Sequence, residues 1–72
     1  MKKKRIVAEG NWVTTHIYNT NGCLEVQIAI TDWGEDDVLV VYEDGLYKVY
    51  VNGSLSVAAT NCIIKYVTIK TC

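Results

Sequence analysis

The residues that could perform acid–base chemistry lie around the single histidine, His16. Thr14 and Tyr18 are two positions away on either side, so a strand would place all three side chains on one face. A turn at Asn21-Gly22 would bring Glu25 onto the same face. A hydroxyl nucleophile needs an adjacent base and an orienting carboxylate, and Thr14, His16 and Glu25 are residues of those types. The sequence contains no G-x-S-x-G, H-E-x-x-H or glycine-rich phosphate loop, so we expect no enzymatic activity.

Cysteines and a short acidic segment are the candidates for a metal site. Cys23, Cys62 and Cys72 together with His16 have the ligand types of a Cys₃His zinc site, but their spacing fits no familiar zinc module. Segment 31–37 holds four carboxylates, and Ca²⁺ takes about six to eight oxygen ligands from such loops. The segment lacks the alternation and the glycine position of an EF-hand loop. We therefore expect neither a metal nor any other cofactor.

Length and charge restrict the function classes further. The chain has 72 residues, half of them apolar, which suits one domain over 1–72 without a run of about 20 apolar residues to cross a bilayer. Four of its seven basic residues are Lys2–Arg5, and no apolar stretch typical of a secretory signal follows them. We expect a frayed basic terminus, a cytoplasmic location, no membrane contact and reduced thiols. From Ile6 onward, the chain contains three lysines and eight acidic residues, which gives this part a net charge of −5.

The elements that would position these residues are strands. β-Branched and aromatic residues dominate and proline is absent, which predicts an all-β fold. Asn21-Gly22, Asp44-Gly45 and Asn52-Gly53 separate alternating apolar segments and are typical of type I′ turns. Because every connection is short, we expect a small antiparallel meander that forms a barrel or a compact two-sheet sandwich. The strands are predicted near 4–8, 12–19, 24–31, 37–43, 46–51, 54–59 and 62–70.

A two-residue turn at Asn21-Gly22 fixes the register of the first hairpin. One side is then apolar and faces the core, with the pairs Ile17–Val26, Thr15–Ile28 and Val13–Ile30. A slip of one residue would turn this whole set outward, so the register is well specified. The reverse side is polar and carries aromatic residues, with the pairs Tyr18–Glu25, His16–Gln27, Thr14–Ala29 and Trp12–Thr31.

The second hairpin is apolar on both faces. A turn at Asp44-Gly45 predicts the pairs Tyr42–Tyr47, Val40–Val49, Val38–Val51, Val41–Lys48 and Leu39–Tyr50. The next turn predicts Tyr50 opposite Leu55 and Lys48 opposite Val57. Strands that are apolar on both sides are buried on both sides or meet another chain. We therefore predict a homodimer whose interface contains Leu39, Val41 and Tyr50.

The expected binding surface joins the polar side of the first hairpin to the acidic segment after it. An acidic surface suits a basic partner, and tryptophan is enriched at interfaces. We hypothesise a small non-enzymatic module that occludes a basic site on a larger protein, in the manner of phage or mobile-element inhibitors of nucleases and CRISPR effectors. The predicted contact residues are Trp12, His16, Tyr18, Glu25, Asp32, Trp33, Glu35, Asp36 and Asp37.

Two other classes of function remain open. A small β-barrel that binds single-stranded nucleic acid would stack bases on the aromatic residues of this side and contact phosphates through Lys2–Arg5. The acidic body opposes that interpretation, because phosphate neutralisation supplies most non-specific affinity. A lectin-like module for a sugar or another small ligand would use Trp12, Tyr18, Glu25 and Gln27, and its binding would not depend on salt.

Overall fold

The protein is built from six β-strands. The computed structural model describes residues 4–30 and 36–68, the side chains of 11–15, 29–30 and 68 excepted, and within this part no helix is long and apolar enough to span a membrane. The all-β prediction is confirmed. The strands are β1 (Arg5–Thr20), β2 (Cys23–Ile30), β3 (Asp36–Glu43), β4 (Leu46–Val51), β5 (Ser54–Ala59) and β6 (Asn61–Thr68).

The strand order is β5-β4-β3-β1-β2-β6. The first half of β1 pairs with β3, and its second half pairs with β2. The two groups of strands pack on each other as a compact sandwich that does not close into a barrel. Neighbours are antiparallel except β2 and β6, which are parallel. Sequential hairpins of the expected kind therefore join β1 to β2 and β3 through β5, whereas β3 and β6 reach partners that are distant in sequence.

One continuous β1 replaces the two strands predicted over 4–8 and 12–19. The break was expected near Gly10, but this residue pairs with Val38 as an ordinary strand residue, and its neighbours Glu9 and Asn11 pair with Leu39 and Asp37. The β3 ladder therefore satisfies the backbone groups of the segment that was predicted to be a loop. The prediction failed because those partners are 26 to 30 residues away along the chain and leave no local signal.

The three turns form as predicted. Asn21, Asp44 and Asn52 have φ values between 52° and 57°, and the glycine after each also has a positive φ. These are the angles that a type I′ turn requires at both central positions. The first turn also fastens the far end of the sandwich, because the Gly22 carbonyl accepts hydrogen bonds from the Thr60 hydroxyl (3.2 Å) and the Asn61 amide (3.4 Å).

The predicted registers hold close to the turns and change at bulges. The pairs from Tyr18–Glu25 to Thr15–Ile28 and all five pairs predicted between β3 and β4 are present. A shift between Trp12 and Thr15 then places Trp12 opposite Ile30, so the predicted pairs Val13–Ile30 and Trp12–Thr31 are both wrong. In β5 a second shift places Lys48 opposite Ala58 rather than Val57, although Tyr50 still faces Leu55. An extra residue on one strand bends and twists it, which lets these strands wrap around the core.

The core lies between the two sheets. It contains side chains from five strands, and burial of each aliphatic side chain of valine size or larger contributes about 1.5–3 kcal/mol before the loss of conformational entropy is counted. Partly buried side chains, among them Ile17, Tyr47 and Ile64, surround it. The buried members are Ala8, Leu24, Val26, Ile28, Val38, Val40, Val49 and Ala59.

Val41, one of the three residues of the predicted dimer interface, is buried in the structure. This residue lies on the face of β3 opposite to the core, between Ile6 of β1 and Lys48 of β4, yet it has no exposed surface. Val41 is therefore already buried within its own chain and offers no contact area to a second copy. Leu39 and Tyr50 keep part of their surface, and dimerisation stays a prediction.

Replacing Leu24 by alanine tests the position of the core. Leu24 is fully buried, so the substitution leaves a cavity, and we expect the free energy of unfolding to fall by about 2–5 kcal/mol. The matched control is Leu55→Ala at a leucine that is 55% exposed, for which we expect a change within about 0.5 kcal/mol. Urea denaturation of both variants measures this, and equal losses would contradict the assignment of the core.

Candidate functional site

Three strands present a common outward surface. Because Leu24, Val26 and Ile28 of β2 are buried, the alternate residues of β2 point away from the core, together with their ladder partners on β1 and β6. We call this surface the aromatic face. It consists of His16, Tyr18, Glu25, Gln27, Ile63, Lys65 and Val67.

Two rings on β1 form one edge of the aromatic face. His16 and Tyr18 are two residues apart, and their rings are almost parallel, with an interplanar angle of 5° and a centroid distance of 6.2 Å. Alternation along a strand places such residues side by side at roughly this spacing. The sequence predicted this pair, and the structure brings it together with Glu25 as expected.

A polar network occupies the centre of the aromatic face. The Gln27 amide donates a hydrogen bond of 3.0 Å to Oε1 of Glu25, and the Lys65 ammonium lies 3.0 Å from the same oxygen. The hydrogen bond from Gln27, and then the one from Lys65, lower the pKa of Glu25 below its ordinary value of 4.5. Glu25 is therefore a carboxylate at neutral pH, with an orientation fixed by groups on its own and the adjacent strand.

Large apolar surfaces surround this network. Tyr18 is 52% exposed, Ile63 is 49% exposed and Val67 is 52% exposed. They stand on β1 and β6, on either side of Glu25 in β2, so the aromatic face has apolar flanks and a charged centre. Exposed apolar groups that cluster in this way mark contact sites more often than apolar residues scattered singly.

The structure places only part of the predicted acidic segment. Asp32, Trp33 and Glu35 lie outside the described residues, whereas Asp36 and Asp37 begin β3. Asn52 holds both: its side-chain amide donates to the Asp36 carboxylate (3.1 Å), and its carbonyl oxygen accepts from the Asp37 amide (2.9 Å). The Asp36 side chain and the Asp37 backbone are therefore both bonded to the Asn52 side chain.

Trp12 lies on β1 between the residues of the aromatic face and the strand that carries Asp36, and only its backbone is described. It pairs with Asp36 on one side and with Ile30 on the other, and its side chain lies outside the described part. Asp36 therefore lies opposite a residue that is four positions before His16 on β1.

The basic residues that the structure describes at the N-terminus contact tyrosines. The Lys4 ammonium lies 5.5 Å from the centre of the Tyr50 ring, and the Arg5 guanidinium lies 5.4 Å from the centre of the Tyr42 ring. Both distances fall in the range of cation–π attraction. Arg5 is the first residue of β1 and Lys4 directly precedes it, whereas residues 1–3 lie outside the description, so fraying of the basic terminus stays a prediction.

Of the residues considered for acid–base chemistry, His16 and Glu25 are described in full, whereas the Thr14 side chain lies outside the described part. Glu25 is bonded to Gln27 and Lys65, and the contact that the structure gives His16 is the Tyr18 ring. Within residues 4–30 and 36–68, no group of three or more His, Cys, Asp or Glu side chains is placed to hold a metal ion. Cys23 and Cys62 are not bonded to each other, burial raises the pKa of the Cys62 thiol, and Cys72 lies outside this range.

Sequence reasoning missed the contribution of β6 to the aromatic face. Ile63, Lys65 and Val67 enter it because β6 runs parallel to β2, whereas a meander would have placed β6 beside β5. The alternation of apolar and polar residues in 62–67 indicated a strand but not its neighbour. The opposite charges of Glu25 and Lys65 were the feature of the sequence that could have indicated this pairing of β2 with β6.

Comparison of the chain with family models, with curated proteins and with solved structures returns no match.

Replacing Gln27 by methionine tests the network around Glu25. In the wild-type protein, we expect the Glu25 carboxyl to titrate below pH 4.5, and in Gln27→Met its midpoint should rise because the strongest stabilising hydrogen bond is lost. Carboxyl ¹³C shifts measured by NMR follow this titration. Since the folded-state pKa is lowered, the network stabilises the fold above pH 4.5, and the effect disappears as the pH falls through that pKa. An unchanged midpoint in Gln27→Met would contradict the network.

Proposed function

We propose that this chain is a small protein-binding module without catalytic activity, whose aromatic face docks on a basic site of a larger protein. The observation that carries the proposal is the exposure of Tyr18, Ile63 and Val67 on both sides of the ordered Glu25 carboxylate. Interfaces combine apolar anchors with a few oriented polar groups in the same way.

The bonding within the aromatic face supports this proposal. Its residues stand on three hydrogen-bonded strands, and Glu25 is bonded to the side chains of Gln27 and Lys65. Side chains that are already ordered lose less conformational entropy on binding. A surface of this kind favours a partner whose backbone also changes little on association.

Charge indicates the kind of partner. The chain from Ile6 onward carries −5, and the Asp36 carboxylate is oriented by the Asn52 side chain. A field of this sign accelerates association with basic surfaces, and nucleic-acid-binding sites are surfaces of this kind because they neutralise phosphates with Lys and Arg. Occlusion of such a site, as by an inhibitor of a nuclease or a CRISPR effector encoded by a phage, is the mechanism that we propose, in a cytoplasmic setting.

The contacts of the polar groups give less support to the other two classes. Direct nucleic-acid binding would use the basic terminus, but Lys4 and Arg5 are engaged with Tyr50 and Tyr42. A sugar site would need Glu25 and Gln27 to bond a ligand, and these two groups are bonded to each other.

Affinity capture with matched variants tests the proposed function. The bait is the full chain, either wild type or with Tyr18→Ala and Ile63→Ser combined, in a nuclease-treated bacterial lysate. We expect the wild-type chain to retain a discrete protein and the double variant to retain at least about tenfold less, because anchors at an interface contribute most of the affinity.

The control variant is Leu55→Ser, which removes an equally exposed apolar side chain from the opposite sheet. It should capture as much of the protein as wild type does, and the captured amount should decrease between about 50 and 300 mM salt if the site is basic. Equal losses in both variants would exclude the aromatic face. Recovery of nucleic acid alone from an untreated lysate, and of nothing after nuclease treatment, would favour the nucleic-acid alternative.

A further inference from the structure

A second concave surface lies on the sheet formed by β1, β3, β4 and β5. It is a groove of about 540 Å³, within the size range of small-molecule sites, and its walls include Leu39, Tyr50 and Glu9. Tyr50 and Leu39 pair across the ladder between β3 and β4, and Glu9 pairs with Leu39 on the other side. The groove therefore combines an aromatic wall, an apolar floor and a carboxylate on three adjacent strands.

An ammonium group already occupies the aromatic wall of this groove. The Lys4 ammonium lies 5.5 Å from the centre of the Tyr50 ring, although Lys4 precedes β1 and is itself exposed. The Lys4 side chain is a flexible butylammonium group, so the chain displays in its own structure the kind of cation that this ring accepts.

Two carboxylates line the same groove. Glu9 stands across Leu39 from Tyr50, so their backbones are about 10 Å apart, two strand spacings. The backbone of Asp37 is fixed by Asn52. The side-chain oxygen of Asn52 accepts from the Asp37 backbone amide (2.9 Å), and the Asn52 backbone amide donates to the Asp37 backbone carbonyl (2.7 Å). A cation on Tyr50 and a second cation beside Glu9 and Asp37 would both be attracted.

We infer that this groove binds a small aliphatic polyamine, with one ammonium on Tyr50 and another beside Glu9 and Asp37, and that Lys4 is its built-in competitor. The apolar methylene chain of such a ligand would lie over Leu39. The site is on the sheet opposite to the aromatic face and does not depend on the proposed protein binding.

Titration of the ¹⁵N-labelled full chain with spermidine tests this inference. At about 20 mM salt, where screening is weak, we expect saturable shifts centred on the amides of Leu39 and Tyr50. Lys4→Met should tighten binding by about threefold because it removes the competing ammonium. Tyr50→Leu should weaken it by about fivefold, and Glu9→Gln combined with Asp37→Asn should weaken it by about tenfold or more.

Asp44→Asn is the control for charge. It removes a carboxylate at a turn position that accepts asparagine, outside the groove, and should leave spermidine affinity within about twofold of wild type. Loss of affinity in Asp44→Asn equal to that in the groove variants would show non-specific attraction and overturn the site. Unchanged or weaker binding in Lys4→Met would also overturn it, and ¹⁵N spectra of each variant confirm that the fold persists.

Discussion

The structure depends on the hydrogen bonding of one long strand. The first half of β1 pairs with β3 and the second half pairs with β2. Trp12 lies where the two halves meet and pairs with a residue of each of these strands. A shift in register beside Trp12 bends the strand at this point, which lets one ladder of backbone hydrogen bonds serve both layers of the sandwich. A small domain can bury only a limited apolar area, and sharing a strand between layers brings both inner faces onto a common core.

The position of the two outward faces follows from that bend. The second half of β1 carries His16 and Tyr18 to the aromatic face, whereas the first half carries Glu9 to the groove on the other sheet. Each face has an aromatic ring, an apolar surface and a carboxylate, but they differ in their cation. Lys65 stabilises the charge of Glu25, while Lys4 rests on an aromatic ring and is exposed.

Local features of the sequence predicted the hairpin turns and part of the aromatic face. Asn-Gly and Asp-Gly turns fixed three hairpins, and alternation then placed His16, Tyr18 and Glu25 on one face. Pairings between distant segments were not predictable in this way. The parallel contact of β6 with β2 leaves no periodic signal, and Val41 is buried at a position whose ladder partners lie on two other strands. The register shifts near Trp12 and Val49 could not be predicted, because no glycine or proline marks these positions in the sequence.

Cross-saturation NMR on the complex tests the proposed contact surface most directly. The deuterated, ¹⁵N-labelled chain is bound to the unlabelled protein that it captures, and the protons of that protein are irradiated. Saturation should be strongest at the amides of Tyr18, Glu25 and Ile63, because these residues belong to the aromatic face. Saturation that is strongest at Leu39 and Tyr50 would place the interface on the opposite sheet and contradict the proposal.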